Sequence, residues 1–263
     1  MGSRVDRRRD PVGLHLAARG LAVVVGLLQK HSSRLASPSR AKAVRRRRSG
    51  LTTGRPQAEL LGAARLYVIT PDGPADQLVT IAESAVRGGA DAVQLRHKTL
   101  ARGELLNLAR RIRAVTADVL FIVNDYVDIA LLSGADGVHL GPDDLSIEAA
   151  RRVAGDRLLI GASASSPEGA RVAIGQGADY LGSGPAFATP IKTSKPVIGP
   201  GGVAAIAESA RRTVPVFAIG GIHESNVSQL TVLGLRRICV IRAVADAEDP
   251  EQAARRLRAM LTG

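Results

Sequence analysis

From residue 65 onward, short apolar runs alternate with longer stretches in which apolar residues recur at helical spacing. Residues 76–87, for example, carry the i, i+3, i+4 stripe of a one-sided helix, from Leu78 to Val86. Eight such runs, most of them followed by a helical stretch, predict eight βα units. The predicted strands are residues 66–70, 92–95, 119–123, 137–140, 158–161, 180–182, 216–219 and 238–241.

The tripeptide Gly-Ala-Asp precedes three of the predicted strands, at residues 89–91, 134–136 and 177–179. Its glycine can end the preceding helix in a left-handed conformation, and its small residues permit a tight turn into the strand. An open doubly wound sheet would show the same alternation. Eight units and a predicted final helix at 250–261 favour closure. The predicted fold class is therefore α/β, a single (βα)8 TIM barrel over residues 63–263.

The net charge of +12 is concentrated at the start of the chain. Residues 1–60 hold 14 Lys and Arg against 3 Asp and Glu, whereas residues 61–263 hold 22 against 21. We therefore expect no nucleic-acid partner for the barrel. Residues 1–62 are predicted to be a disordered basic extension, since such a composition rarely supports a packed core. A transit peptide, a signal peptide or a start codon placed too far upstream are the alternatives.

The single cysteine, Cys239, excludes an internal disulfide and zinc binding through paired cysteines. It fits a reducing compartment, so a cytoplasmic location is predicted. No apolar run reaches the roughly 18 residues of a membrane-spanning helix, and no membrane partner is expected. The sequence leaves open whether the chain forms a homo-oligomer.

The predicted strand ends are unusually polar, and active sites of these barrels lie at the C-terminal ends of the strands. Strand 2 ends in Gln94, Arg96 and Lys98, which alternation places on the same side of an extended segment. Two cations beside an amide suit a diphosphate, because Arg can grip phosphate bidentately and Lys acts as a point charge. Surface salt bridges are the alternative for Arg96 and Lys98.

Further polar residues follow strands 3, 4 and 7. Asp125 and Asp144 follow neighbouring strands. Mg²⁺ is commonly bound by one or two carboxylates together with substrate phosphates and water. Helix capping is the alternative for each carboxylate. Gly220-Gly221 lies where such barrels often bind a phosphate monoester, or is only a turn. His139, within strand 4, is predicted to be a packed barrel residue.

Six segments of the sequence, residues 66–70, 88–98, 124–128, 137–145, 184–192 and 219–222, contain five motifs in a fixed order. Together they resemble the thiamine-phosphate synthase family, over residues 66 to about 261. The resemblance implies an enzyme that joins an aminopyrimidine methyl diphosphate to a thiazole (carboxy)phosphate, with Mg²⁺, and releases pyrophosphate. The motifs are Gln-Leu-Arg-His-Lys at 94–98, Asn-Asp at 124–125, Gly-Pro-Asp-Asp-Leu at 141–145, Gly-Pro-Ala-Phe-Ala-Thr-Pro-Ile-Lys at 184–192 and Ile-Gly-Gly-Ile at 219–222.

The resemblance also implies a role for each matching residue. Arg96, Lys98, Lys192 and Ser163 would be catalytic, and Asp125 and Asp144 would bind the metal. The aminopyrimidine diphosphate would contact Gln94, Arg96, Lys98, Asn124, Ser163 and Lys192. The thiazole phosphate would contact Thr189, Ile191, Gly220, Gly221, Ile241 and Arg242.

Three positions depart from the family pattern. Ile191 stands where a hydroxyl residue is frequent, Arg242 replaces a frequent serine, and Tyr126 stands where arginine is frequent. The related thiazole tautomerases rely on a histidine shortly after the strand 5 serine, whereas this chain has Ser165 there. The remaining alternatives are a non-catalytic phosphate-binding barrel and a nucleic-acid binder that uses the basic extension.

Overall fold

Eight parallel strands close into a barrel whose order around the ring follows the chain, which confirms the predicted (βα)8 fold. The computed structural model describes residues 57–189, 196–210 and 213–262. The strands are β1 (Leu66–Ile69), β2 (Ala92–Leu95), β3 (Leu120–Asn124), β4 (Gly137–Leu140), β5 (Leu159–Ala164), β6 (Tyr180–Ser183), β7 (Val216–Ile219) and β8 (Ile238–Val240).

Helices follow the strands and cover the outside of the barrel. Those within the described ranges are α1 (Gln57–Ala63), α2 (Ala75–Arg87), α3 (Arg102–Val115), α4 (Val127–Ser133), α5 (Ile147–Ala154), α6 (Pro167–Gly175), α7 (Gly199–Ala210), α8 (Ser228–Thr231), α9 (Arg242–Ala245) and α10 (Pro250–Ala259).

The start of the described chain adds an element to the sequence-based picture. The extension was predicted to reach residue 62, and residues 57–63 form α1. Leu61 of this helix is buried and packs with the side chains that fill the barrel. Residues 1–56, which hold most of the predicted extension, lie outside the described residues.

The core has two layers, because alternate strand residues point to opposite faces of the sheet. On β1, Tyr67 and Ile69 pack inside the barrel, whereas Leu66 and Val68 pack against the helices. Both faces are covered, so the strands consist of apolar runs without polar alternation. The same layering explains why the eight runs could be recognised in the sequence.

Three of the chain's six Tyr and Phe residues fill the centre of the barrel. The rings of Tyr67 and Tyr180 each stand nearly perpendicular to that of Phe217, with centroids 5.5 and 5.9 Å away. Gly161 makes room for them, since a Cβ there would lie 2.1 Å from the Tyr180 ring. The aromatic rings therefore form a rigid floor below the mouth of the barrel.

The aspartates of the Gly-Ala-Asp triplets tie neighbouring strands together at the opposite end of the barrel. The Asp91 carboxylate accepts hydrogen bonds from the Arg65 and Leu66 N–H groups at the start of β1. Asp136 and Asp179 do the same for Phe121 and Ile160. Each carboxylate also pairs with an arginine, and these partners are Arg258, Arg113 and Arg151.

Across the part of the chain that the structure describes, no helix combines the length and the apolar character needed to cross a bilayer.

We predict that Asp136→Ala lowers the free energy of unfolding by about 2–4 kcal/mol, because it leaves the Phe121 N–H and the half-buried Arg113 without their shared acceptor. Urea unfolding measures this. The matched control is Asp118→Ala, whose side chain is exposed and which should change stability by less than about 0.5 kcal/mol. Equal stability of the two variants would show that the triplet carboxylate does not tie the strands.

Candidate active site

A cavity of about 270 Å³ opens at the C-terminal ends of the strands, where the sequence placed the polar residues. Residues of β1 to β5 and the loops after them form most of its wall, and Gly182 of β6, Ile219 of β7, Cys239 of β8 and Ile241 complete it. The predicted residues on this wall are Gln94, Arg96, Lys98, Asn124, Asp125, Asp144, Ser163 and Ile241. The cavity therefore gathers every predicted diphosphate and metal residue except Lys192, which lies outside the described residues.

Arg96 and Lys98 are held in place by Asp72, in the loop after β1. The Asp72 carboxylate accepts hydrogen bonds from the Lys98 backbone N–H at 2.6 Å and from the Arg96 guanidinium at 3.1 Å. Partial burial acts to raise the pKa of Asp72, but these donors outweigh it and hold the pKa below its ordinary value. Asp72 thus stays ionised, orients the Arg96 guanidinium and anchors the backbone of Lys98.

Sequence reasoning missed Asp72. It follows strand 1 in Thr70-Pro71-Asp72-Gly73, and the rule applied to the other strand ends would have found it. The salt-bridge alternative for Arg96 and Lys98 is partly realised, since Arg96 pairs with Asp72 and Lys98 with Asp125. Both pairs lie at the cavity, so this pairing does not remove them from a binding role.

The carboxylates of Asp125 and Asp144 meet at the cavity. Lys98 Nζ lies 2.5 Å from Asp125 Oδ2. Asp125 and Asp144 line the same cavity, and Asp144 is near enough to raise the pKa of the Asp125 carboxyl. Asp144 Oδ2 also accepts a hydrogen bond from the Gly141 N–H at 2.7 Å. The predicted convergence of two carboxylates from neighbouring strand ends is therefore present.

The backbone and the environment of Asp125 are both unusual. Its φ is 65°, and within the described part of the chain it is the one non-glycine residue with a positive φ. Such backbone conformations recur at functional sites. Burial raises the pKa of the Asp125 carboxyl, and Asp144 adds to the rise while Lys98 opposes it. No side-chain hydrogen bond caps α4, and Ser146 rather than Asp144 caps α5. The capping alternatives are thus not observed.

The floor of the cavity links Gln94 and Ser163 to the barrel interior. Gln94 is 2% exposed and donates a hydrogen bond to the Tyr67 hydroxyl at 2.7 Å, which lies 3.0 Å from that of Tyr180. His139 Nε2 lies 3.1 Å from Ser163 Oγ, and its ring packs on Tyr180. His139 is therefore packed in the barrel as predicted, yet it also lines the cavity.

A second cavity of about 400 Å³ adjoins the first around the ends of β7 and β8. Ile219, Cys239 and Ile241 border both cavities, so an apolar junction separates them. Burial raises the pKa of the Cys239 thiol, which therefore stays neutral. The predicted residues on the second wall are Thr189, Gly220, Gly221, Ile241 and Arg242. Ile191 lies outside the described residues.

The two departures that the structure describes each form local contacts. The Arg242 Nε donates to Asp246 at 2.5 Å, and both side chains line the second cavity. Tyr126 packs under the Arg102 guanidinium, 4.6 Å from the ring centroid. Arg242 thus brings a positive charge to the wall where the resemblance expects a serine.

Comparison with known sequences identifies the family. Residues 66–244 match the family model described as thiamine monophosphate synthase. The chain belongs to the thiamine monophosphate synthase family.

Relatives in this family include a thiamine-phosphate synthase of Gloeobacter violaceus, 48% identical over 72% of the chain and 55% of its own length. The chain likewise spans 63% of the corresponding protein of Thermosynechococcus vestitus. The chain thus covers less than two thirds of these relatives. A thiamine-phosphate synthase of Methanoregula boonei is 46% identical over 75% of the chain and 93% of its own length.

Solved structures agree with this family assignment. A thiamine phosphate pyrophosphorylase from Pyrococcus furiosus is 40% identical, with a TM-score of 0.69 over 78% of this chain and 96% of that chain. A 3-hexulose-6-phosphate synthase has a TM-score of 0.62 over 74% of this chain and 98% of that chain, but only 21% identity. The second likeness shows the barrel fold alone.

We predict that Asp72→Ala weakens binding of pyrophosphate with Mg²⁺ about five- to tenfold, because Arg96 and Lys98 lose the acceptor that orients them. Calorimetric titration measures the affinity. Asp76→Ala makes the same change in net charge at a side chain that is 91% exposed, and it should leave binding within about twofold. Tighter binding by Asp72→Ala would show that its negative charge matters more than its positioning.

Proposed function

We propose that this chain is a thiamine-phosphate synthase, which condenses 4-amino-2-methyl-5-(diphosphomethyl)pyrimidine with a thiazole (carboxy)phosphate to give thiamine phosphate and pyrophosphate. With the carboxylated thiazole, CO₂ is released as well. The observation that carries the proposal is the meeting of Asp125, Asp144, Arg96 and Lys98 in one cavity, with a second cavity beside it. Family membership supports the same reaction.

The charges of the first cavity fit a metal–diphosphate pair. Its described lining carries Arg96 and Lys98 against Asp125, Asp143 and Asp144, so the acidic residues outnumber the basic ones. A diphosphate alone would be repelled by these carboxylates. Among the described residues no group of three or more His, Cys, Asp or Glu could hold a metal. Two carboxylates nevertheless suit Mg²⁺, which commonly takes its other ligands from substrate phosphates and water.

In the proposed reaction the bond between the methylene carbon and the diphosphate oxygen breaks, and the electron pair leaves with pyrophosphate. Bound Mg²⁺ would supply charge stabilisation to the departing oxygens. Arg96 and Lys98, already oriented by Asp72 and Asp125, stabilise the same charge without reorganising. The electron-rich aminopyrimidine supports the positive charge on the methylene carbon, and Lys192 is proposed to assist the leaving group.

The thiazole nitrogen then forms the new bond to the methylene carbon. Gln94 and Asn124 are proposed to hold the aminopyrimidine, with Ser163 positioned by His139. The second cavity is proposed to hold the thiazole phosphate, and its apolar junction with the first keeps water from the methylene carbon. The protein acts mainly by positioning both reactants, and the buried Cys239 thiol takes no part as a nucleophile.

The tautomerase alternative gains no support at its diagnostic position. Ser165 lines a small cavity next to Ser163 and Thr189, but an alcohol lacks the basic nitrogen of the histidine on which that branch relies. The cytoplasmic location stays a prediction, and the question of a homo-oligomer stays open.

With both substrates and Mg²⁺, the purified protein should form thiamine phosphate. Asp125→Asn and Asp144→Asn should each lower kcat/KM by about 100-fold or more, since the amide cannot replace an anionic ligand. Circular dichroism and thermal unfolding should show little change. The control is Asp118→Asn at an exposed position outside the cavity, which should keep its activity. Normal rates in both site variants would show that the carboxylates are not the metal ligands.

Removal of residues 1–56 separates the enzyme from a nucleic-acid binder. The shortened chain keeps α1, whose Leu61 is buried with the barrel side chains. We expect it to retain the rate of thiamine phosphate formation of the full chain within about twofold, because the predicted site lies in residues 94–242. Any affinity for DNA that depends on the basic extension should disappear. Loss of synthase activity on truncation would contradict this division of roles.

A further inference from the structure

The loop after β7 is held from behind by Asn226, a side chain that neither cavity contacts. Asn226 is 8% exposed. Its Nδ2 donates a hydrogen bond to the Gly221 carbonyl at 2.8 Å and also lies 3.0 Å from His223 Nε2, and its Oδ1 accepts one from the His223 N–H at 2.9 Å. One amide therefore ties both sides of the turn between Gly221 and His223.

This contact sets the direction of the neighbouring N–H groups. In a trans peptide the C=O and N–H point in opposite directions. Because Asn226 binds the Gly221 carbonyl, the N–H of Ile222 points away from Asn226. Among the described residues, the backbone–backbone hydrogen bonds of the turns and loops include none from the N–H groups of Gly220, Gly221 or Ile222. All three residues line the second cavity.

Successive N–H groups on such a turn form a concavity that suits an anion. Gly220 and Gly221 both have positive φ, 101° and 63°. The opposite side of the loop packs closely against the segment after β6. A Cβ on Gly221 would lie 2.4 Å from the Ala188 carbonyl oxygen, and a Cβ on Gly220 would lie 2.7 Å from Pro185 Cα. The loop is therefore enclosed between the segment after β6 and the amide of Asn226.

We propose that Asn226 is a positioning residue that orients the Gly220–Ile222 N–H groups toward the phosphate monoester of the second substrate. The identity of the substrate rests on the function proposed above. The anion site itself does not depend on that function. Asn226 acts through the loop and touches no reacting atom. The sequence signal is an asparagine five residues after the Gly-Gly pair, where its side chain can reach back to the turn.

The test uses two variants of the full chain. Asn226→Ala removes the contacts to the Gly221 carbonyl, the His223 N–H and the His223 ring. Asn226→Asp keeps the acceptor for the His223 N–H but replaces the Nδ2 donor by a second oxygen. We expect the KM for the thiazole phosphate to rise about five- to tenfold in both, with the KM for the pyrimidine diphosphate unchanged. Asn107→Ala and Asn107→Asp, on the exposed face of α3, are the matched controls and should change neither KM.

A binding measurement keeps the proposal separate from the reaction. Inorganic phosphate is titrated calorimetrically in the presence of Mg²⁺ and excess pyrophosphate, which fills the first cavity. We expect weaker phosphate binding in both Asn226 variants, even if the wild-type protein proves to make no thiamine phosphate. If Asn226→Ala unfolds, Asn226→Asp carries the test. The proposal would be overturned if a folded Asn226 variant kept the wild-type phosphate affinity and both wild-type KM values. It would also be overturned if the KM values for the two substrates rose equally.

Discussion

The contact between Lys98 and Asp125 joins the ends of two adjacent strands, and the candidate site is built around it. The register of β2 and β3 pairs Leu95 with Val123, so the residues that follow them emerge side by side. Because β3 pairs with β4 on its other side, the loop after β4 brings Asp144 to the same place. Like charges in one cavity disfavour each other's ionised form, and Lys98 offsets this by placing a cation beside Asp125. The proposed function adds a metal ion and a polyphosphate to the same cluster.

In the proposed function the two cavities would bind two anions in different ways. The first is lined by charged side chains with an excess of carboxylates, so a metal ion would take part in recognising the diphosphate. The second offers backbone N–H groups, with Arg242 as its cationic side chain beside Asp246 in the described lining. A phosphate monoester needs less charge compensation than a leaving diphosphate. The apolar boundary of Ile219 and Ile241 keeps the two environments distinct while the substrates approach each other.

Much of this arrangement could be predicted from the sequence, because strands buried on both faces are apolar runs and strand ends of a closed barrel must share one rim. Gln94, Asp125 and Asp144 were found in that way. The sequence could not show that Asp72 orients Arg96 and Lys98, nor that Asn226 holds the Gly-Gly turn, because each contact depends on where a loop folds back. Residues 57–62 adjoin the basic extension in the sequence and were predicted to belong to it. The buried Leu61 side chain packs with the barrel interior, so these residues belong to the barrel.

The most direct test of the convergence is the position of a metal ion. Crystals grown with pyrophosphate and Mn²⁺, as a substitute for Mg²⁺, would reveal the ion by its anomalous scattering. The account predicts one strong peak bonded to the carboxylates of Asp125 and Asp144, with pyrophosphate oxygens beside Arg96 and Lys98. A peak elsewhere on the barrel, or ordered pyrophosphate in this cavity without any metal, would contradict it.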